Sequence, residues 1–109
     1  MNVRLYLWQR TTAALMAPLV LIHLAVIFYA MRKGFSGAEI LARTRGSFAW
    51  ATFYGLFVLA VAVHAPIGLR TILIEWTPLH PRHCDIAAIV FGLLLLALGL
   101  RAVAAVVLP

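Results

Sequence analysis

Three long runs of apolar residues constrain this chain more than any other feature of its sequence. No charged side chain lies between Thr11 and Met31 or between Ser47 and Leu69, which gives uncharged runs of 21 and 23 residues. A third run extends from Ile86 to Leu108 and is interrupted only by Arg101. A helix needs about 20 apolar residues to cross about 30 Å of hydrocarbon. The runs therefore predict an all-α integral membrane protein with transmembrane helices at about residues 11–31, 47–74 and 86–108.

Composition supports one membrane domain over residues 1–109 and excludes several other classes of protein. The chain is 65% hydrophobic and carries nine Lys+Arg against three Asp+Glu. Because the basic residues cluster at the ends of the apolar runs, they indicate anchoring at the membrane interface and not nucleic-acid binding. The single Cys84 excludes an internal disulfide and a cysteine-ligated iron–sulfur cluster. No glycine-rich dinucleotide fingerprint is present, so a flavin or nucleotide must bind elsewhere, if at all.

The ends of the apolar runs predict several local features. Residues 1–10 mix aromatic rings with arginines and are expected to form an interfacial lead-in to the first helix. The first run is too long for the apolar core of a signal peptide, so no cleaved leader is expected. Residues 36–44 fit a short interfacial helix, and Asp85 is expected to be the N-cap of the third long helix.

Basic residues do not decide the orientation in the membrane. Each side of the predicted bundle has four of them: Arg4, Arg10, Arg70 and Arg82 on one side, and Arg32, Lys33, Arg43 and Arg45 on the other, with Arg101 near this second side. Since the positive-inside rule needs an excess on one side, it gives no orientation here.

One face of the second apolar helix combines residues of unusual chemistry. At about 100° per residue, His64, Gly68, Thr71 and Glu75 fall on one stripe. A histidine beside a residue without a side chain is suited to a flat cofactor. The same stripe is equally typical of a tight helix pair, in which Gly68 is the contact point and His64 bonds a neighbour. Both interpretations remain open at this stage.

Other polar residues are weaker candidates. His23 lies near the middle of the first helix, where an ionisable group is often functional, although a neutral imidazole can also bond a carbonyl freed by Pro18. Arg10 can hold a propionate or a carbonyl oxygen, or it can extend to lipid phosphate. His80, His83 and Cys84 lie in one short connection but lack an established ligand spacing, so no metal site is expected there.

Two motifs together resemble a known family. The run His64-Ala65-Pro66-Ile67-Gly68, followed by the acidic–aromatic pair Glu75-Trp76, is similar to the second helix of the small hydrophobic anchor subunits of succinate dehydrogenase and fumarate reductase (respiratory complex II). Gln9-Arg10-Thr11-Thr12-Ala13 resembles the start of their first helix. The resemblance implies a three-helix anchor that packs into a bundle with a second anchor subunit. It also implies that the two anchors dock an iron–sulfur protein and a flavoprotein onto the membrane. This chain would then be a subunit outside the catalytic core.

The resemblance also implies roles for individual residues. His64 would be an axial ligand of the iron of haem b, with Gly68 beside it, and the other axial ligand would come from the partner anchor. Glu75 and Trp76 would form part of a pocket for ubiquinone or menaquinone, and Arg10 would lie near the haem propionates or the quinone. The family often has tyrosine where this chain has Trp76, which has an N–H donor but no phenolic proton.

The resemblance also implies an orientation in the membrane. The N-terminus and the second connection would face the cytoplasm, and the protein would lie in a bacterial-type inner membrane. Succinate oxidation and fumarate reduction use the same anchor design. One alternative is a haem-free structural anchor of the same complex. The other is a small self-contained cytochrome b in which His23 and His64 both bind haem.

Overall fold

The protein is all-α, with three long helices and one short one. A computed structural model describes residues 2–34 and 36–108, so Met1, Phe35 and Pro109 lie outside the described residues. The helices are α1 (Val3–Arg32), α2 (Gly37–Thr44), α3 (Phe48–Trp76) and α4 (Pro81–Val107). Of these, α1, α3 and α4 are each long and apolar enough to cross a membrane. The predicted all-α fold with three membrane spans is confirmed.

Helix α1 begins earlier than the apolar run predicts. Its first residue is Val3, and the Asn2 side chain caps it by accepting a hydrogen bond from the Leu5 N–H at 2.9 Å. Nothing between Val3 and Arg10 breaks a helix, so the expected lead-in is helical and continuous with the span. This extension matters because it makes Gln9 and Arg10 part of a rigid element.

Helix α2 confirms the predicted short helix and fastens to the end of α4. The Ser36 hydroxyl caps α2 by accepting from the Glu39 N–H at 3.2 Å. The Thr44 hydroxyl donates to the Val106 carbonyl at 2.6 Å, and the Gly46 N–H donates to the Val107 carbonyl at 2.7 Å. Gly46 has a φ of +74°, which favours glycine and lets the chain turn directly into α3.

The predicted N-cap at Asp85 is wrong. Helix α4 begins at Pro81, with His80 as its N-cap, and the His80 ring accepts from the Arg82 N–H at 3.1 Å. Proline suits the first position of a helix because its missing N–H would be unpaired there in any case. The Asp85 carboxylate instead pairs with the Nε of Arg70, at 2.5 Å from Oδ1. This ion pair joins the last third of α3 to the first turns of α4.

Helix α3 is the central helix and packs against both α1 and α4. Small residues allow the close approach to α4: a Cβ at Gly92 would lie 2.9 Å from the ring of Pro66. Contacts of His64 with Thr12, and of Tyr54 with His23, show that α1 and α3 are antiparallel. The first half of α1 therefore lies along the second half of α3, where the candidate residues are concentrated.

Large apolar side chains point outwards. Leu21 is 68% exposed and Phe28 is 67% exposed, whereas buried residues such as Ala60, Cys84 and Ala88 are small. An outer apolar surface is expected of a protein that is surrounded by lipid or by another membrane subunit. The interior is thus defined by close helix contacts and not by a large core.

Candidate functional site

His64 is half-buried on α3 and is held by the first turns of α1. Its Nδ1 lies 3.2 Å from the carbonyl oxygen of Gln9 and 3.2 Å from the hydroxyl of Thr12. Thr12 is 6% exposed, and its hydroxyl also lies 2.7 Å from the Trp8 carbonyl. Helix α1 thus presents one side-chain oxygen and one backbone oxygen to the same ring nitrogen.

These partners determine which nitrogen of a neutral His64 carries the proton. The Gln9 carbonyl can only accept, and the shortest contact of the Thr12 hydroxyl proton is with the Trp8 carbonyl. Nδ1–H must therefore donate, shared between the Gln9 carbonyl and the Thr12 oxygen. The lone pair then lies on Nε2, which makes no hydrogen bond to the described residues. An imidazole with Nδ1–H bonded and Nε2 free is in the form that ligates a metal.

Gly68 allows α1 to approach α3 one turn from His64. A Cβ placed on Gly68 would lie 3.4 Å from Nε2 of the Gln9 side chain, so the amide covers this part of α3. Both features expected of a tight helix pair are present, because Gly68 is a contact point of α1 and α3 and His64 bonds α1 through Nδ1. The other ring nitrogen of His64, Nε2, has no hydrogen-bond partner among the described residues, which leaves the cofactor interpretation open.

The outer end of α3 carries the acidic–aromatic pair. Glu75 is exposed and Trp76 is 81% exposed, at the last two positions of the helix. Glu75 makes no ion pair within the part of the chain that the structure describes. The 12 residues from His64 to Trp76 correspond to about 18 Å along the helix axis. A carboxylate and an indole N–H thus stand at the end of an apolar span, well separated from His64.

Arg10 lies nearer to His64 along the bundle than to Glu75. Its neighbour Gln9 touches both Gly68 and His64, which puts this part of α1 beside the middle of the candidate stripe. The Arg10 guanidinium is exposed and lies 5.8 Å from the centroid of the Tyr6 ring. Its charge is therefore free to meet an anionic group outside this chain.

His23 lies in a separate cavity towards the other end of the bundle. The cavity has a volume of about 520 Å³ and is lined by His23, Arg43, Tyr54 and Phe57 among mostly aliphatic residues. The imidazole meets the Tyr54 and Phe57 rings edge-on, with centroids 6.0 and 5.5 Å away. Its Nδ1 is buried and has no hydrogen-bond partner among residues 2–34 and 36–108. The carbonyl freed by Pro18 is therefore not its partner.

His23 and His64 do not face one another. Thr12, the residue of α1 that contacts His64, precedes His23 by 11 residues, or about 16 Å along the helix. Two axial ligands of one iron are separated by only two metal–nitrogen bonds. The geometry therefore does not support a single haem shared by these two histidines.

The sequence predicted that His80, His83 and Cys84 lie in one connection, but His80 is the N-cap of α4 and the other two lie in its first turn, where they form no ligand cluster. The His80 and His83 rings lie 6.1 Å apart, and Cys84 is fully buried. The His80 ring is used as the helix cap. No group of three or more His, Cys, Asp or Glu suited to a metal ion occurs among the described residues.

Two residues that contact His64 were not identified from the sequence as its partners. Gln9 and Thr12 are three residues apart and therefore share a face of α1. Both belong to the motif at the start of the first helix, which was the available signal. Their pairing with His64 depends on how α1 and α3 are aligned, and no local pattern encodes that alignment.

The fold and these contacts define a multi-pass, all-α integral membrane protein whose central span carries a histidine bonded to α1 through one ring nitrogen. A family model described as the succinate dehydrogenase/fumarate reductase transmembrane subunit matches residues 2–106. The chain therefore belongs to this family, which confirms the resemblance inferred from the sequence. Comparisons with curated proteins and with solved structures give no match.

Proposed function

We propose that this chain is a membrane anchor of a succinate:quinone oxidoreductase and that it provides His64 to haem b and Glu75 and Trp76 to quinone. In this role it passes electrons between a soluble flavin and iron–sulfur part and the quinone pool. The observation that carries the proposal is the state of His64. Its Nδ1 is bonded to α1, while Nε2 has no hydrogen-bond partner in residues 2–34 and 36–108, within a family of succinate dehydrogenase/fumarate reductase membrane subunits.

The residues around His64 fit a shared haem. Oxygen atoms on Nδ1 orient the ring and raise the basicity of the opposite nitrogen, as is usual for metal-bound histidine. Gln9 covers Gly68, so this chain offers one edge of a site and not a closed pocket. That arrangement favours a second axial ligand from a partner anchor. Haem b bound at Nε2 would supply one-electron chemistry within the membrane.

Arg10 is suited to a supporting role at this site. It follows Gln9 directly, and its guanidinium is exposed. A guanidinium forms strong, charge-assisted bonds to carboxylates, which include haem propionates, and it can also donate to a quinone carbonyl. Arg10 would thus neutralise or orient an oxygen near the middle of the stripe.

The end of α3 is suited to quinone chemistry. Reduction of a quinone to a quinol consumes two electrons and two protons. Glu75 is exposed at the end of an apolar span, so it would stand near the membrane boundary, where a carboxylate can take protons from water and pass them on. The Trp76 N–H can donate a hydrogen bond to a quinone oxygen, but it does not supply a proton. In this chain the proton would therefore pass through Glu75 or water and not through the aromatic residue.

The outward-facing apolar side chains support assembly with a second anchor subunit. Helices α1 and α4 both pack on α3 and leave large side chains such as Leu21, Phe28 and Leu93 exposed. A partner anchor would cover part of this surface and complete the haem site. The two anchors would then dock the iron–sulfur subunit and the flavoprotein on the side of Glu75.

Purification by a tag on this chain tests the proposal. We expect an iron–sulfur subunit, a flavoprotein and a second membrane subunit to co-purify, together with haem b. A four-subunit complex without haem would favour the structural anchor. A chain that retains haem after every other subunit has been removed would favour the self-contained cytochrome. Either result would contradict the shared-haem proposal.

A further inference from the structure

Among the described residues, the hydroxyl of Thr12 is the one side-chain group that touches Nδ1 of His64, the nitrogen opposite the proposed iron ligand Nε2. We infer that Thr12 is a positioning residue that fixes the ring of His64 and lowers the reduction potential of the haem that His64 would bind. The inference rests on the proposed function, because it concerns a haem on His64. It goes further by assigning control of the potential to a residue on a different helix.

The contacts of Thr12 leave it one available role toward His64. Its hydroxyl has one proton, and its shortest contact is 2.7 Å, to the Trp8 carbonyl within α1. The oxygen therefore accepts from Nδ1–H of His64 at 3.2 Å. Since Thr12 is 6% exposed, water does not readily replace this acceptor. The rigidity of the helix, together with the bond to Trp8, fixes where the oxygen lies.

An acceptor on Nδ1–H changes the imidazole as a ligand. It draws the Nδ1 proton away from the ring, so the ring gains anionic character and Nε2 becomes more basic. A more basic axial ligand stabilises ferric over ferrous iron, so the reduction potential falls. The Gln9 carbonyl, also at 3.2 Å, is a backbone acceptor that remains when Thr12 is replaced. Removal of the Thr12 hydroxyl should therefore weaken the effect without abolishing it.

The sequence supplies a matched pair for the test. Thr12→Val keeps the shape of the side chain and deletes the hydroxyl, whereas Thr12→Ser keeps the hydroxyl. The neighbouring Thr11 is exposed on another side of α1, so Thr11→Val is the same chemical change away from His64. If the complex does not assemble with Thr12→Val, the midpoint potential of the haem is measured in the smaller variant Thr12→Ala, and the same shift is expected.

Potentiometric titration of the purified complex, followed at the haem absorption bands, measures the effect. We expect Thr12→Val to raise the midpoint potential by about 59 mV, which is a tenfold change in a one-electron equilibrium. Thr12→Ser and Thr11→Val should stay near the wild-type value. Low-temperature electron paramagnetic resonance should show an altered ligand field in Thr12→Val only, since the ring of His64 is then held by one acceptor.

The possible results distinguish a failure of the role of Thr12 from a failure of haem binding by His64. A haem with the wild-type potential and resonance spectrum in Thr12→Val would overturn the role of Thr12 and leave the ligation by His64 intact. Equal shifts in Thr12→Val and Thr11→Val would also overturn it, because the effect would not depend on the contact. Absence of haem from the wild-type complex would instead refute the proposed function.

Discussion

The contact of Gly99 with Val58 gives a direct test of how α4 packs on α3. A Cβ on Gly99 would lie 2.6 Å from Cγ1 and 3.0 Å from Cγ2 of Val58, whereas carbon atoms in ordinary contact are about 3.5–4.0 Å apart. Gly99→Ala therefore requires a local separation of about 1 Å. Val58 cannot swing both methyl groups away, since a β-branched residue in a helix has one preferred rotamer.

Two opposing effects determine how much Gly99→Ala changes the free energy of unfolding. Overpacking of this kind costs about 1–3 kcal/mol, and replacing glycine by alanine within a helix returns at most about 1 kcal/mol. Because the added Cβ meets both methyl groups of Val58, the overpacking cost falls in the upper part of this range, about 2–3 kcal/mol, and we expect Gly99→Ala to lower the free energy of unfolding by about 1–2 kcal/mol. Val58→Ala removes the atoms that clash, so the double variant should be more stable than the sum of the single changes predicts, by about 1 kcal/mol.

Titration of the purified chain with SDS in mixed micelles, followed by circular dichroism, gives the unfolding free energy of each variant. Gly55→Ala is the matched control, because no described atom outside its own stretch of helix lies within 4 Å of a Cβ placed there. Wild-type stability in Gly99→Ala, or strict additivity with Val58→Ala, would refute the close packing of α3 and α4.

Three further predictions concern individual side chains. Glu75→Gln should slow succinate-dependent quinone reduction several-fold and leave electron transfer to a soluble dye near normal, and equal losses in both assays would contradict a proton relay. Trp76→Phe should weaken quinone turnover and Trp76→Tyr should be tolerated; full activity in Trp76→Phe would exclude its N–H from the pocket. His80→Ala and His83→Ala should leave the haem spectrum unchanged, and loss of haem in either would place a ligand at the N-terminal end of α4.

Features encoded in a single stretch of the chain were predictable from the sequence. The three spans follow from uninterrupted apolar runs, and α2 follows from Ser36 as a cap before a short amphipathic segment. His64 stood out because it is an ionisable residue within the second apolar run and lies one helical turn before a glycine. Each of these signals lies within a few residues and does not depend on how the helices pack.

Features that depend on helix packing were not predictable in the same way. Asp85 has the chemistry of an N-cap, but His80 and Pro81 provide an earlier start, and the carboxylate then pairs with Arg70 on another helix. Gly68 suggested space for a cofactor, yet the Gln9 amide lies against it. In both cases the partner comes from a different helix, and its position is decided by the alignment of two spans.

The reduced-minus-oxidised absorption spectrum of the His64→Ala complex tests whether His64 ligates the haem iron. We expect loss or severe change of a low-spin haem b signal in His64→Ala, while His23→Ala retains it, because His23 lies about 16 Å along α1 from the residue that contacts His64. The flavin and its dye-linked activity should persist in both variants. An unchanged haem spectrum in His64→Ala, or loss of haem in His23→Ala alone, would remove His64 from the axial position.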